Sequence, residues 1–125
     1  MLRTDNAHIK DMVFYGEPGD DTGDKDSVLK IVGDNITLEN VVIYHAANAF
    51  GIYVWQAHNL ELINVQVIAY GNDWGAAACP SRKPFSGYDC SNIKVYNTEG
   101  LKMTNVYTDS GSRGISIVNS PGAVL

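Results

Sequence analysis

Long apolar runs are missing from this sequence. None approaches the ~18 residues that a membrane-crossing helix needs, so no such helix is expected. Basic residues are scarce: 9 Lys and Arg stand against 14 Asp and Glu, for a net charge of −5. An acidic chain without a basic stripe is a poor binder of nucleic acid. There are only two cysteines and three histidines, and they form no Cys/His pattern with zinc-ligand spacing. No Gly-rich phosphate-cradling loop occurs either. Amphipathic helical periodicity is also lacking between the short apolar stretches, which excludes a Rossmann arrangement. The opening "MLRTDNAHIK" has no apolar stretch after its basic residue, so it does not read as a signal peptide and already looks like part of the fold.

What the sequence does have is a repeat. The 125 residues suffice for one domain with a real core. "DNITLENVVI" (34–43) aligns with "HNLELINVQV" (58–67), "EGLKMTNVYT" (99–108) and "DNAHIKDMVF" (5–14), and "PGAVL" (121–125) begins another copy. Asn6 and Asp11, Asn35 and Asn40, Asn59 and Asn64, and Gly100 and Asn105 are each five residues apart. Asn, Asp and Gly tolerate left-handed backbone conformations, so both positions read as corners between short strands. The first corners, from Asn6 through Asn35, Asn59 and Gly100 to Gly122, are spaced by 29, 24, 41 and 22 residues. Nearly all that variation falls just before "LKIV", "IYVW", "IKVY" and "ISIV", the strand that precedes each copy. Loops that vary at one edge of a repeat array are the expected home of function.

Alternation assigns the inward columns. One holds Leu29, Ile52, Ile93 and Ile115, and a second Ile31, Val54, Val95 and Ile117. A third holds Ile9, Leu38, Leu62 and Met103, and a fourth Met12, Val41, Val65 and Val106. The expected fold is therefore all-β: a right-handed parallel β-helix, a solenoid of about four coils plus a partial fifth, with three short strands per coil. It forms one domain over residues 1–125, with a long loop insertion at 70–91. An antiparallel sandwich is the competing architecture, but it does not explain constant corner spacing beside variable loops.

The repeats "GIYVWQAHNLELINVQV" and "LKIVGDNITLENVVI" resemble the pectin-lyase-like right-handed parallel β-helix superfamily over nearly the whole chain. The corner Asn of that family corresponds to Asn40, Asn64 and Asn105. The resemblance implies a carbohydrate-active β-helix that acts on or binds an acidic, uronate-containing polysaccharide, in the manner of a polysaccharide lyase and outside the cell. The chain departs from the family in lacking a capping helix and in having fewer coils. Open coil ends expose strand edges, and terminal repeats normally need caps. That fits a piece of a longer β-helix, or ends that meet other subunits in a fibre, adhesin or spike. The charge asymmetry suits such head-to-tail stacking into a homo-oligomer: residues 1–73 carry 4 basic against 11 acidic groups, and residues 74–125 carry 5 against 3.

Family resemblance points to the outer face of the strand that precedes each corner pair. Its outward column is Lys30, Tyr53, Lys94 and Ser116, with Thr37, Glu61, Lys102, Gln66 and Tyr107 on neighbouring columns. In a lyase, a base removes the proton beside a uronate carboxylate and a cation stabilises the developing charge. Lys94, Lys30 and Arg113 are the candidate catalytic residues, with His8, His45 and His58 as alternatives. Tyr53, Trp74, Arg82, Lys83 and Tyr88 are the candidate substrate-binding residues, because aromatic rings stack on sugars and Arg clamps carboxylates. Asp20, Asp21, Asp24 and Asp26 crowd one loop and, with Asp73, are candidate Ca²⁺ ligands. Paired aspartates also resemble those of polygalacturonases. Those enzymes need a His-Gly and an Arg-x-Lys motif, where this chain has Phe50-Gly51, Arg113-Gly114 and no Arg-x-Lys. Hydrolase activity is therefore not expected. Cys79 and Cys90 in the polar insertion are expected to form a disulfide, as suits a secreted protein. "NIT" at 35–37 is a formal glycosylation sequon at an exposed corner.

Overall fold

A computed structural model of the chain describes residues 2–16, 27–46, 50–70, 91–109 and 113–125. Among these residues there is no helix, and every strand pairing is parallel. The strands are β1 (Leu2–Arg3), β2 (His8–Tyr15), β3 (Ser27–Val32), β4 (Asp34–Ala46), β5 (Phe50–Trp55), β6 (His58–Tyr70), β7 (Ser91–Tyr96), β8 (Lys102–Asp109) and β9 (Arg113–Val118). Odd-numbered strands form one sheet in the order β1-β3-β5-β7-β9, and even-numbered strands form the other in the order β2-β4-β6-β8. The chain thus passes from one sheet to the other at every connection. An antiparallel sandwich is excluded for the described strands.

The four inward columns appear in the pairing register residue for residue. Leu29 pairs with Ile52, Ile52 with Ile93 and Ile93 with Ile115. Met12 pairs with Val41, Val41 with Val65 and Val65 with Val106. Side chains from both sheets merge in one buried cluster, including Ile31, Ile52, Val54 and Val95 from the first and Leu38, Ile43, Leu62 and Val65 from the second. Period-two alternation selects this arrangement, because a slip of one residue would turn each apolar set to solvent. Along the outermost described strands the columns open: Met12 is 46% and Ile115 39% exposed, while their column mates on β4, β5, β6 and β7 are fully buried.

The corners are where the sequence places them. Asn6, Asp11, Asn35, Asn40, Asn59, Asn64 and Asn105 have φ between 50° and 58°, and Gly100 and Gly122 have φ of 74°. Their amides also bond to one another. Asn35 Nδ2 donates to Asn6 Oδ1 at 3.0 Å, and Asn59 Nδ2 to Asn35 Oδ1 at 3.0 Å. In the second row Asn40 donates to Asp11 at 3.1 Å, Asn64 to Asn40 at 3.1 Å, and Asn105 to Asn64 at 2.6 Å. Each amide can donate to one neighbour while accepting from the next. A carboxylate only accepts, and Asp11 occupies the one position in this row that is only asked to accept.

Two features differ from expectation. The segments on either side of the second corner run together as one strand in β2, β4, β6 and β8. A single left-handed residue bends the chain there without breaking its pairing, so the expected second and third strands form one bent strand. A further row of left-handed residues, Gly33, Gln56, Asn97 and Asn119, closes the end of the odd-numbered strands. Gly33 belongs to the tightest of these connections: its φ is 145°, and a Cβ there would lie 1.9 Å from the Thr4 carbonyl oxygen. Residues 17–26, 47–49, 71–90 and 110–112 all fall between an even-numbered strand and the next odd-numbered one. The longest connections, and the widest variation in their length, fall at that edge.

Candidate functional site

The outer face of the five-stranded sheet carries the column expected from alternation. Lys30 on β3 pairs with Tyr53 on β5, Tyr53 with Lys94 on β7, and Lys94 with Ser116 on β9. The Lys30 ammonium lies 5.5 Å from the Tyr53 ring centroid and 5.5 Å from that of Trp55. Both are within cation–π range. Lys94 Nζ donates to Ser116 Oγ at 3.2 Å. Phe50, 1% exposed, packs its ring 5.4 Å from Tyr53 at a 47° tilt. Trp55 is 38% exposed and pairs in register with Tyr96. The face therefore combines aromatic rings with two ammonium groups. Rings present apolar faces to the C–H surfaces of sugars, and ammonium groups donate to carboxylates.

Trp55, Tyr96 and Phe50 were not named as binding residues from the sequence, where Phe50 stood out only as a departure from a His-Gly motif. A signal existed for the first two. They sit two residues beyond Tyr53 and Lys94, so the same alternation turns them outward. Arg113 begins β9, opposite Ser91 at the start of β7. Trp74, Arg82, Lys83, Tyr88, Asp73, Cys79 and Cys90 lie outside the described residues, as do Asp20, Asp21, Asp24 and Asp26. Among the described residues no group of three or more His, Cys, Asp or Glu side chains could hold a metal ion.

The histidines stand elsewhere. His8 Nε2 meets Glu39 Oε1 at 3.0 Å on the outer face of the four-stranded sheet. His58 begins β6, with Nδ1 3.0 Å from Asp34 Oδ1 and Nε2 3.7 Å from Glu99 Oε2. His45 is fully buried and bonds the equally buried Asn92. The parity of Val41 and Ile43 continues to His45, which turns it inward and away from any substrate on the outer faces. Thr37, Glu61 and Lys102 line a shallow depression of about 340 Å³ with Asn35, Asn59 and Gly100. That surface mixes both charge signs and carries no aromatic ring, so the aromatic and cationic face is the stronger candidate.

No family model, no curated protein and no solved structure matches the chain.

Proposed function

We propose that the chain is a right-handed parallel β-helix of the pectin-lyase-like type, and that the outer face of its five-stranded sheet binds an acidic, uronate-containing polysaccharide. The solenoid reading is supported by regular alternation between two parallel sheets and by corners that recur at matching registers. Right-handed crossover is the strong preference for parallel connections. The observation that carries the binding reading is the grouping of Lys30, Tyr53, Trp55 and Lys94 on one outer face. Extracellular location and a Cys79–Cys90 disulfide belong to the same reading, as do Ca²⁺ ligands at Asp20, Asp21, Asp24, Asp26 and Asp73. Trp74, Arg82, Lys83 and Tyr88 would extend the binding surface from the loop edge.

A lyase working on this face would act by β-elimination. A base takes the proton beside the uronate carboxylate, the electron pair forms a ring double bond, and the glycosidic oxygen leaves. Lys94, Lys30 and Arg113 are the candidates for the base and for the cation that steadies the carboxylate. The test is ultraviolet absorbance of the unsaturated product on pectate, alginate and other polyuronates, with calcium and with chelator. A rise abolished by Lys94→Ala makes this a lyase. Binding without a rise leaves a glycan-binding β-helix. Neither binding nor a rise removes the carbohydrate reading.

A structural reading is favoured by one observation. Met12 and Ile115 expose apolar surface from columns that are fully buried on β4, β5, β6 and β7, and β2 and β9 are outermost in their sheets. Copies stacked end to end would cover these edges. Mass that rises with protein concentration in analytical ultracentrifugation, and falls back on Ile115→Lys, supports it. A constant monomer mass rejects it.

A further inference from the structure

Lys30 is held by rings and not by a carboxylate. Among the described residues every ion pair involves His8 or His58, so none of their carboxylates stands within ion-pair distance of Lys30. The side chain is partly buried on β3. Its Nζ lies over both Tyr53 and Trp55 of β5, 5.5 Å from each ring centroid. An ammonium over a ring face is attracted by the ring quadrupole, and here two rings act on one ammonium. The rings are themselves placed by the sheet. Tyr53 pairs in register with Lys30, and its ring packs 5.4 Å from the buried Phe50. Trp55 lies two residues further along the same strand, with the same outward parity and an exposed side chain.

Resting on the glycan-binding reading, we infer that Tyr53 and Trp55 are positioning residues that act on an acidic glycan through Lys30. They hold its ammonium where it meets one sugar carboxylate, instead of stacking on the sugar themselves. A long side chain that grips a ligand normally loses rotamer freedom at that moment. Here the ring contacts restrict the head group before any ligand arrives, so less freedom is left to lose. The ammonium keeps its N–H donors for an acceptor, and an arriving carboxylate supplies the counter-charge. That carboxylate comes to the side of the ammonium away from the rings, because ring faces carry negative potential and repel it. The rings therefore matter to the ligand only while Lys30 carries its charge.

The test is a double-mutant cycle read by titration calorimetry with trigalacturonate and trimannuronate. Trp55→Leu removes the ring and should weaken binding by about two- to tenfold, the range for ordering one side chain. Trp55→Phe keeps a ring face and should lose less. Lys30→Met keeps the apolar stem and removes the charge. In that background Trp55→Leu and Trp55→Phe should cause no further loss. Circular dichroism checks that every variant keeps the wild-type fold. A Trp55→Leu loss of the same size with and without the Lys30 charge means direct stacking and overturns the inference. So does wild-type affinity in Trp55→Leu, or equal loss in the Phe and Leu variants. If Lys30→Met binds too weakly to read, nuclear magnetic resonance of the free protein decides. The Lys30 Cε protons should then lie upfield of those of the other lysines, shifted by the ring currents, and return to them in Trp55→Leu. An ordinary shift in the wild type overturns the inference. Wild-type protein that binds neither oligosaccharide removes the glycan-binding reading itself, an outcome distinct from binding without the coupling.

Discussion

Asn64 shows how much depends on single side chains here. Its backbone is left-handed, with φ of 50°, and its amide both donates to Asn40 and accepts from Asn105. Asn64→Ala loses both bonds and retains the backbone penalty, and should cost about 1–3 kcal/mol. Asn64→Gly loses the same bonds but relieves the backbone, so it should cost less than Ala. Urea unfolding of the pair separates the two contributions, and equal losses would assign the whole effect to the amide row. Gly51 tests close packing instead. A Cβ there would stand 2.2 Å from Val67 Cγ1 and 2.8 Å from the Asn92 carbonyl oxygen. Gly51→Ala should therefore destabilise by about 1–3 kcal/mol through overpacking, read as a lowered Tm. Asn and Gly corners were legible because few residues accept a left-handed backbone. Gln56 was not, because its side chain gives no such signal and pairing alone imposes its conformation.

Among the strands, position within a sheet decides what a side chain is worth. Leu62 on β6 is fully buried in a column with neighbours on β4 and β8. Leu62→Ala should cost about 2–5 kcal/mol. Met12 belongs to a column of the same sheet but lies on β2, where it is 46% exposed. Met12→Ala should fall below the lower end of that range, since much of its surface is already in water. Chemical denaturation of both variants at one temperature makes the comparison, and equal losses would mean that β2 is covered in solution. The columns themselves were readable from the alternation of Leu, Ile and Val at fixed distance from each corner. The continuity of the bent strands was not, because Asn40 and its equivalents look like breaks until the pairing on both sides is seen.

Across the whole molecule, the five-stranded sheet groups Lys30, Tyr53, Trp55 and Lys94 on its outer face, while the four-stranded sheet carries charges of both signs and the stacked Tyr15–Tyr44 pair. Trp55→Ala should lower affinity for an acidic polysaccharide about tenfold while leaving the far-ultraviolet dichroism unchanged. Affinity should also fall as salt rises, since the ammonium–carboxylate contacts are exposed enough to be screened. Titration calorimetry across a salt series checks both. Salt-independent binding would move the weight from Lys30 and Lys94 to the rings.

Lys30, Tyr53 and Lys94 could be placed together from the sequence, since their distance from the corner residues sets both strand position and outward orientation. The all-β class, the inward columns and the corner residues follow from period-two alternation and from the backbone tolerance of Asn and Gly, which are local properties. The lean of Lys30 onto Tyr53 and Trp55, and of Lys94 onto Ser116, does not. A long flexible side chain chooses among neighbours that only strand pairing brings near. The burial of His45 against Asn92 is likewise a product of folding. Residues 47 positions apart in the chain become partners only when two sheets close over the same interior.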